Sequence, residues 1–178
     1  MSTVFKILPH YTYDDWLHWD GRWELIDGIP FAMSPTPVPQ HQRVAAELTY
    51  LFISAIKKAG CKKCKVYQPL DYRISEDTIL EPDLLIVYDN IRKKILDFPP
   101  ALVAEILSPS TMLKDRNTKY ELYQQQLVKY YLIIDADKEI VELYKIHDGK
   151  YLREDFTKTY TFELDDDCSI EVALNEIW

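Results

Sequence analysis

The residues with the types and spacing to do chemistry lie in the middle of the chain. Glu105 interrupts an apolar run at 101–107, bounded by Pro99-Pro100 and by Ser108-Pro109. So short a run between turn residues reads as a buried strand. A lone carboxylate inside it needs a cation, a donor or a proton, because burying an uncompensated charge is costly. Polar turn residues follow, and then Asp115, Lys119 and Tyr123 recur at i, i+4 spacing, which places them on one face of a helix. A second acid, Asp83, follows Pro82 and opens another apolar strand at 84–88. If the two strands pair, Asp83 lies beside Glu105. Two carboxylates and a lysine so placed can hold a metal ion next to a group that stabilises negative charge. The plainer reading makes the acids water-facing edge residues and Lys119 ordinary helix surface. The second acid beside the first weighs against it.

The elements that must position these groups are legible in outline. Thr12 caps a short helix with Asp14 and Asp15 in its first turn and Trp16 and Leu17 facing inward. Strands at 22–26 and 29–33 flank Asp27-Gly28, a strong hairpin signal. Glu24 sits in the first of them, where a solvent-facing hairpin position is the ordinary expectation. Residues 34–39 form a proline-rich loop. A helix at 40–59 follows, with Val44, Leu48, Leu51 and Ala55 as its apolar stripe and Gly60 as its stop. His41 in its first turn is a surface or cap residue unless it faces a cleft, where it could bind phosphate or relay protons.

The lysines at 57, 58, 62, 63 and 65 suit a helix C-terminus for dipole reasons, with a phosphate-binding edge as the sharper alternative. A strand is expected at 65–73. Beyond the central strand and helix come a strand at 129–134 and a hairpin of 139–146 with 150–156 around Asp148-Gly149. Short edge strands at 160–164 and 170–172 follow, and 171–178 closes the chain as a strand end or helical turn. This order is α/β (α+β): a mixed central sheet flanked by helices, with additional β-hairpins, in one domain over 1–178.

Composition excludes some classes. Hydrophobic residues make up 47% and charged residues 28%, as in an ordinary globular domain. No apolar stretch approaches a membrane span, so no membrane partner is expected. No basic-then-apolar leader is visible, so the expected location is cytoplasmic. A net charge of −8 argues against coating nucleic acid by bulk attraction, but not against binding a short stretch of it. Of three cysteines, Cys61 and Cys64 have a zinc-like gap, but only Cys168 remains to join them. Unpaired thiols are the expectation. The aromatics Tyr130, Tyr131, Tyr144, Tyr151 and Tyr160 look exposed along the later strands. That suggests a homodimer that covers them.

Taken together, several stretches resemble the Uma family of restriction endonucleases, a bacterial branch of the PD-(D/E)xK nuclease superfamily. They are ELIDG at 24–28, MSPTP at 33–37, HQR at 41–43, EPDLLIV at 81–87, AEILSPST at 104–111, DRNTKYELY at 115–123 and YYLIID at 130–135. They occur in family order. The resemblance implies a core of helix, three strands, helix and strand, with the active site at the sheet edge. It maps the family's PD onto Pro82-Asp83 and its second acid onto Glu105. The superfamily's usual lysine position is Leu107 here, and Lys119 on the following helix matches in its place. Glu24 and His41 match positions kept near the site.

On this resemblance the catalytic residues are Asp83, Glu105 and Lys119, supported by Glu24, His41 and Asp115. Asp83, Glu105 and the Ile106 carbonyl are the metal ligands. The ion is Mg2+ or Mn2+, the reaction phosphodiester hydrolysis, and the partner nucleic acid, with DNA favoured. Asp115, one turn before Lys119, would orient it. The alternatives are a catalytically inactive nucleic-acid-binding protein that keeps the fold, and an interaction protein whose carboxylates merely pair with Lys119.

Overall fold

The computed structural model describes residues 9–33 and 38–178, so most of the proline-rich loop, at 34–37, lies outside the described residues. The scaffold is a mixed six-stranded sheet. Its strands are β3 (Lys65–Tyr67), β6 (Leu84–Val87), β7 (Leu102–Ile106), β8 (Tyr130–Asp135), β9 (Ile140–His147) and β10 (Lys150–Glu154), in spatial order β10-β9-β8-β7-β6-β3. β7 and β8 run parallel, joined by a helical crossover; the other neighbours are antiparallel. β6, β7 and β8 are buried at every position, as mostly apolar strands covered on both faces must be, with Glu105 in β7 and Asp135 at the end of β8 as their two acids. This mixed sheet with helices and extra hairpins is the expected fold class.

One face packs against α2 (Pro39–Ala59) and the hairpin of β11 (Tyr160–Asp165) with β12 (Cys168–Val172). Val44, Leu48, Phe52 and Ile56 form the buried stripe of α2. The expected Leu51 and Ala55 only flank it. A strict i, i+4 row carries the contact, and Phe52 meets the Phe162 ring edge-on at 5.4 Å. Gly60 ends α2 in the left-handed conformation.

The other face packs against a helix in three continuous parts. These are α3 (Met112–Lys114), a π-helical turn (Asp115–Lys119) and α4 (Tyr120–Gln125). Beside them lies a small antiparallel sheet of β1 (Trp23–Ile26), β2 (Ile29–Ala32), β4 (Tyr72–Arg73) and β5 (Ile79–Leu80), ordered β2-β1-β5-β4. The expected strand at 65–73 is therefore two strands in two sheets. Pro69 between them supplies no ladder donor, and the chain turns there from one sheet to the other.

Both Asp-Gly hairpins form as expected, with positive φ at Asp27, Gly28, Asp148 and Gly149, the pattern of a type I′ turn. Thr12 and Asp15 make a reciprocal capping box on α1 (Tyr13–Trp16), but Leu17 is exposed rather than inward. The later tyrosines correct the sequence reading more sharply. Tyr130, Tyr131 and Tyr151 are buried, and Tyr144 and Tyr160 are half-buried. Tyr131 and Tyr151 belong to the core under the crossover helix, and Tyr130 to the core under β11–β12. The expectation of a homodimer rested on their exposure and loses that basis.

The cysteines differ too. Cys61 and Cys168 form a disulfide across 107 residues, because β12 docks beside the loop that ends α2. Cys64 is the free, buried thiol.

Candidate active site

The site lies where the small sheet, the crossover helix and the ends of β6 and β7 meet. Register places it. Leu84 pairs with Ala104, so Asp83, one residue before β6, falls opposite Glu105 on the same face of the sheet. Asp83 Oδ2 accepts a hydrogen bond from the Ile106 N–H at 2.8 Å, and His41 Nε2 from the first turn of α2 stands 3.2 Å from the same oxygen. Burial alone would lower the His41 pKa, but Asp83 and the Ile106 backbone hold it above the ordinary histidine value.

Lys119 is the centre of the cluster. Its side chain is 2% exposed, and its Nζ lies 2.8 Å from Glu24 Oε1, 2.8 Å from Glu105 Oε1 and 3.4 Å from Asp115 Oδ1. Burial works against its charge, yet Glu105, Glu24 and Asp115 together keep its pKa well above the usual lysine range. The π-helical turn matters here. Asp115 and Lys119, its first and last residues, are both buried, and such turns recur at functional sites.

The carboxylates fare unequally. Burial pushes Glu105 well above the ordinary carboxylate range; Lys119 opposes this, and Asp115, Asp83 and Glu24 add to it. Asp115 is raised for the same first reason, against the pull of Lys119. Glu24 is also fully buried, but Lys119 and Lys114 overcome the burial and lower its pKa. Glu24 bonds Lys114 through Oε2 and accepts the Glu81 N–H at 3.1 Å through Oε1. It is thus an internal member of the site, not a solvent-facing hairpin residue.

Sequence reasoning missed several participants. Tyr123 donates its hydroxyl to Glu105 Oε1 at 2.7 Å. Its i+4 spacing from Lys119 was visible, but not that both would reach the same oxygen. Lys114 and the Arg22–Glu81 pair also line the cavity, and Arg22 Nε donates to Glu81 Oε1 at 2.8 Å. Glu81 stands two residues before Asp83 and Arg22 two before Glu24, and that closeness to the named acids was the available signal. The exposed lysines at 57–65 gather at the other end of α2 and of β6, where Lys65 pairs with Val87, so they do not border this site.

The cavity over the cluster has a volume of about 740 Å³ and is walled by residues of β1, β2, α2, β7 and the crossover helix. Glu24, Glu81, Asp83 and Glu105 are among its lining residues. Asp83 and Glu105 each have one oxygen engaged by protein donors, while Asp83 Oδ1 and Glu105 Oε2 have none among the described residues. Asp115 Oδ1 is buried and accepts no hydrogen bond. An acidic, oxygen-rich set of this kind suits a hard cation such as Mg2+, whose charge would favour the ionised forms of Glu105 and Asp115.

Comparison with known proteins adds the family. The Uma2 family profile, described as "Putative restriction endonuclease", matches residues 11–178. The chain belongs to the Uma2 family. It is therefore grouped with restriction-endonuclease-like nucleases, as the sequence motifs imply. An uncharacterized protein, slr1290, of Synechocystis is 27% identical over 158 residues, covering 81% of this chain and 79% of that protein. A crystal structure described as a "putative nuclease belonging to DUF820", from Anabaena variabilis, superposes with a TM-score of 0.75 at 16% identity. It covers 93% of this chain and 96% of that one. At that identity the likeness speaks for the fold.

Proposed function

We propose that this Uma2 protein is a divalent-cation-dependent endodeoxyribonuclease that hydrolyses phosphodiester bonds in DNA, with Mg2+ or Mn2+ as its ion. The observation that carries this reading is the convergence of Asp83, Glu105 and Lys119 on one cavity, with the lysine delivered from the crossover helix. DNA rather than RNA is favoured by the family's description as restriction endonucleases.

Asp83 and Glu105 would hold the ion, with the Ile106 carbonyl as a further oxygen. When bound, a divalent cation lowers the pKa of water and neutralises charge building on the phosphate. The chain's own residues supply the rest. The Ile106 N–H and His41 fix the Asp83 carboxylate, and Tyr123 fixes that of Glu105. Lys119 keeps its proton and brings a fixed positive charge to the point where the phosphate gains negative charge. Glu24 and Asp115 hold that ammonium in place. Lys114 offers a second cation at the cavity wall.

One observation favours a second reading. Without an ion, all three carboxylates around Lys119 already have it as a partner, as in an interaction protein whose buried charges merely balance. Purified protein incubated with supercoiled DNA and with RNA, in Mg2+, Mn2+ or EDTA, separates the two. Ion-dependent, EDTA-sensitive DNA cleavage is expected. No cleavage of either substrate in either ion would leave the interaction protein as the better reading.

A further inference from the structure

A second cluster stands far from the carboxylates. His41 and Cys61 are separated by nearly the whole of α2, about 30 Å at 1.5 Å per residue. There the Sγ atoms of Cys61, Cys64 and Cys168 all lie within 4.8 Å of one another. The disulfide uses two of them, Cys61 and Cys168. The third is not needed for it. Yet Cys64 is buried at 3% exposure, with its Sγ 3.3 Å from that of Cys168. Three elements aim these sulfurs at one point. Gly60 turns the chain out of α2 to place Cys61, the Cys61-Lys-Lys-Cys64 loop returns Cys64, and β12 begins at Cys168. A C-x2-C loop meeting a cysteine from a distant hairpin is how thiolate metal sites are assembled.

We propose that, once the disulfide is reduced, Cys61, Cys64 and Cys168 bind a soft divalent cation of the Zn2+ class as a three-thiolate site. The link between the end of α2 and the β11–β12 hairpin is then a disulfide in one redox state and a metal bridge in the other. The steps balance. A dithiol reductant gives two electrons and two protons to the Cys61–Cys168 bond and becomes a disulfide itself, leaving three thiols. Binding of the ion replaces three S–H protons, which pass to solvent. Three protein ligands leave a fourth position for water.

The test uses the full chain with Cd2+ as the probe, because sulfur-to-Cd2+ charge-transfer absorption reports thiolate ligation and is silent at carboxylate sites. Reduced protein is expected to take up one Cd2+ per chain with that absorption, and Zn2+ to displace it. Protein with the disulfide intact is expected to show none. Cys64→Ser keeps both disulfide cysteines, so its disulfide is expected to form as before by mass. Its reduced form is expected to bind Cd2+ at least ~100-fold more weakly for want of one of three ligands. Reduced wild-type protein without thiolate absorption, or reduced Cys64→Ser binding as tightly as wild type, would overturn the proposal.

Discussion

Replacing Lys119 by methionine keeps most of the side-chain stem and removes the ammonium. In the ion-free protein that ammonium lies 2.8 Å from Glu24, 2.8 Å from Glu105 and 3.4 Å from Asp115, all buried. Breaking a buried pair by deleting one partner typically costs about 3–5 kcal/mol. The lower end applies here, because Glu105 already binds a proton readily and can shed its charge. For a domain of this size each kcal/mol moves Tm by about 2–4 °C, so a loss near 3 kcal/mol means about 6–12 °C.

The pH dependence has a definite sign. Glu105 and Asp115 titrate above their unfolded values, so between those values and the folded ones the native state holds more protons. Stability falls as pH rises through that interval. Without the ammonium the interval reaches higher, so Lys119→Met is expected to lose more at pH 8 than at pH 5.5. Thermal unfolding in EDTA at both pH values reads this. Single-turnover cleavage with Mn2+ on the same variant is expected to fall about a hundredfold or more for one lost stabilising group. A wild-type Tm at pH 8, or a penalty equal at both pH values, would refute the electrostatic argument. Early melting with normal cleavage once folded would refute the catalytic one.

Three further outcomes are expected. Tyr123→Phe removes the 2.7 Å donor to Glu105 and is expected to cost about 1–3 kcal/mol in urea unfolding with EDTA, as for a buried acceptor that loses its donor; a wild-type midpoint would contradict this. Burial first and Glu81 second raise the Asp71 pKa from 3.8 to about 6, so the wild-type protein loses stability across that interval as pH rises. Asp71→Asn should therefore stabilise at pH 8 by at most about 3 kcal/mol, less after solvent screening, and should give nothing at pH 4. Gly28→Ala puts a Cβ 2.3 Å from His10 Nδ1 at a φ of +73° and is expected to cost about 1–2 kcal/mol or more by calorimetry; an unchanged Tm would show that the turn relaxes freely.

Much of this arrangement was legible in the residues. An acid inside an apolar strand, an acid at the mouth of the next, and i, i+4 spacing on the helix between strands located Asp83, Glu105, Asp115 and Lys119. The two Asp-Gly turns and the limits of α2 were legible because they rest on local backbone preference. What was not legible depends on distant packing. Glu24 alternates with apolar neighbours like any surface hairpin residue, and only the docking of β1 against the crossover helix buries it. The later tyrosines read as exposed because nothing local reveals that helix or the β11–β12 hairpin lying over them. The disulfide spans 107 residues and exists only because the chain's last hairpin returns to the end of α2. The π-helical turn at Asp115–Lys119 has no signature in residue type or spacing, since its i, i+4 pattern is that of an ordinary helix.

The most direct test of the metal-dependent reading is a Mn2+ titration of the purified protein, followed by calorimetry or electron paramagnetic resonance, alongside Asp83→Ala and Glu105→Ala. Wild-type protein is expected to bind the ion at the cavity, and each variant to lose that binding together with DNA cleavage while staying folded. Mn2+ binding left unchanged in both variants would contradict the account.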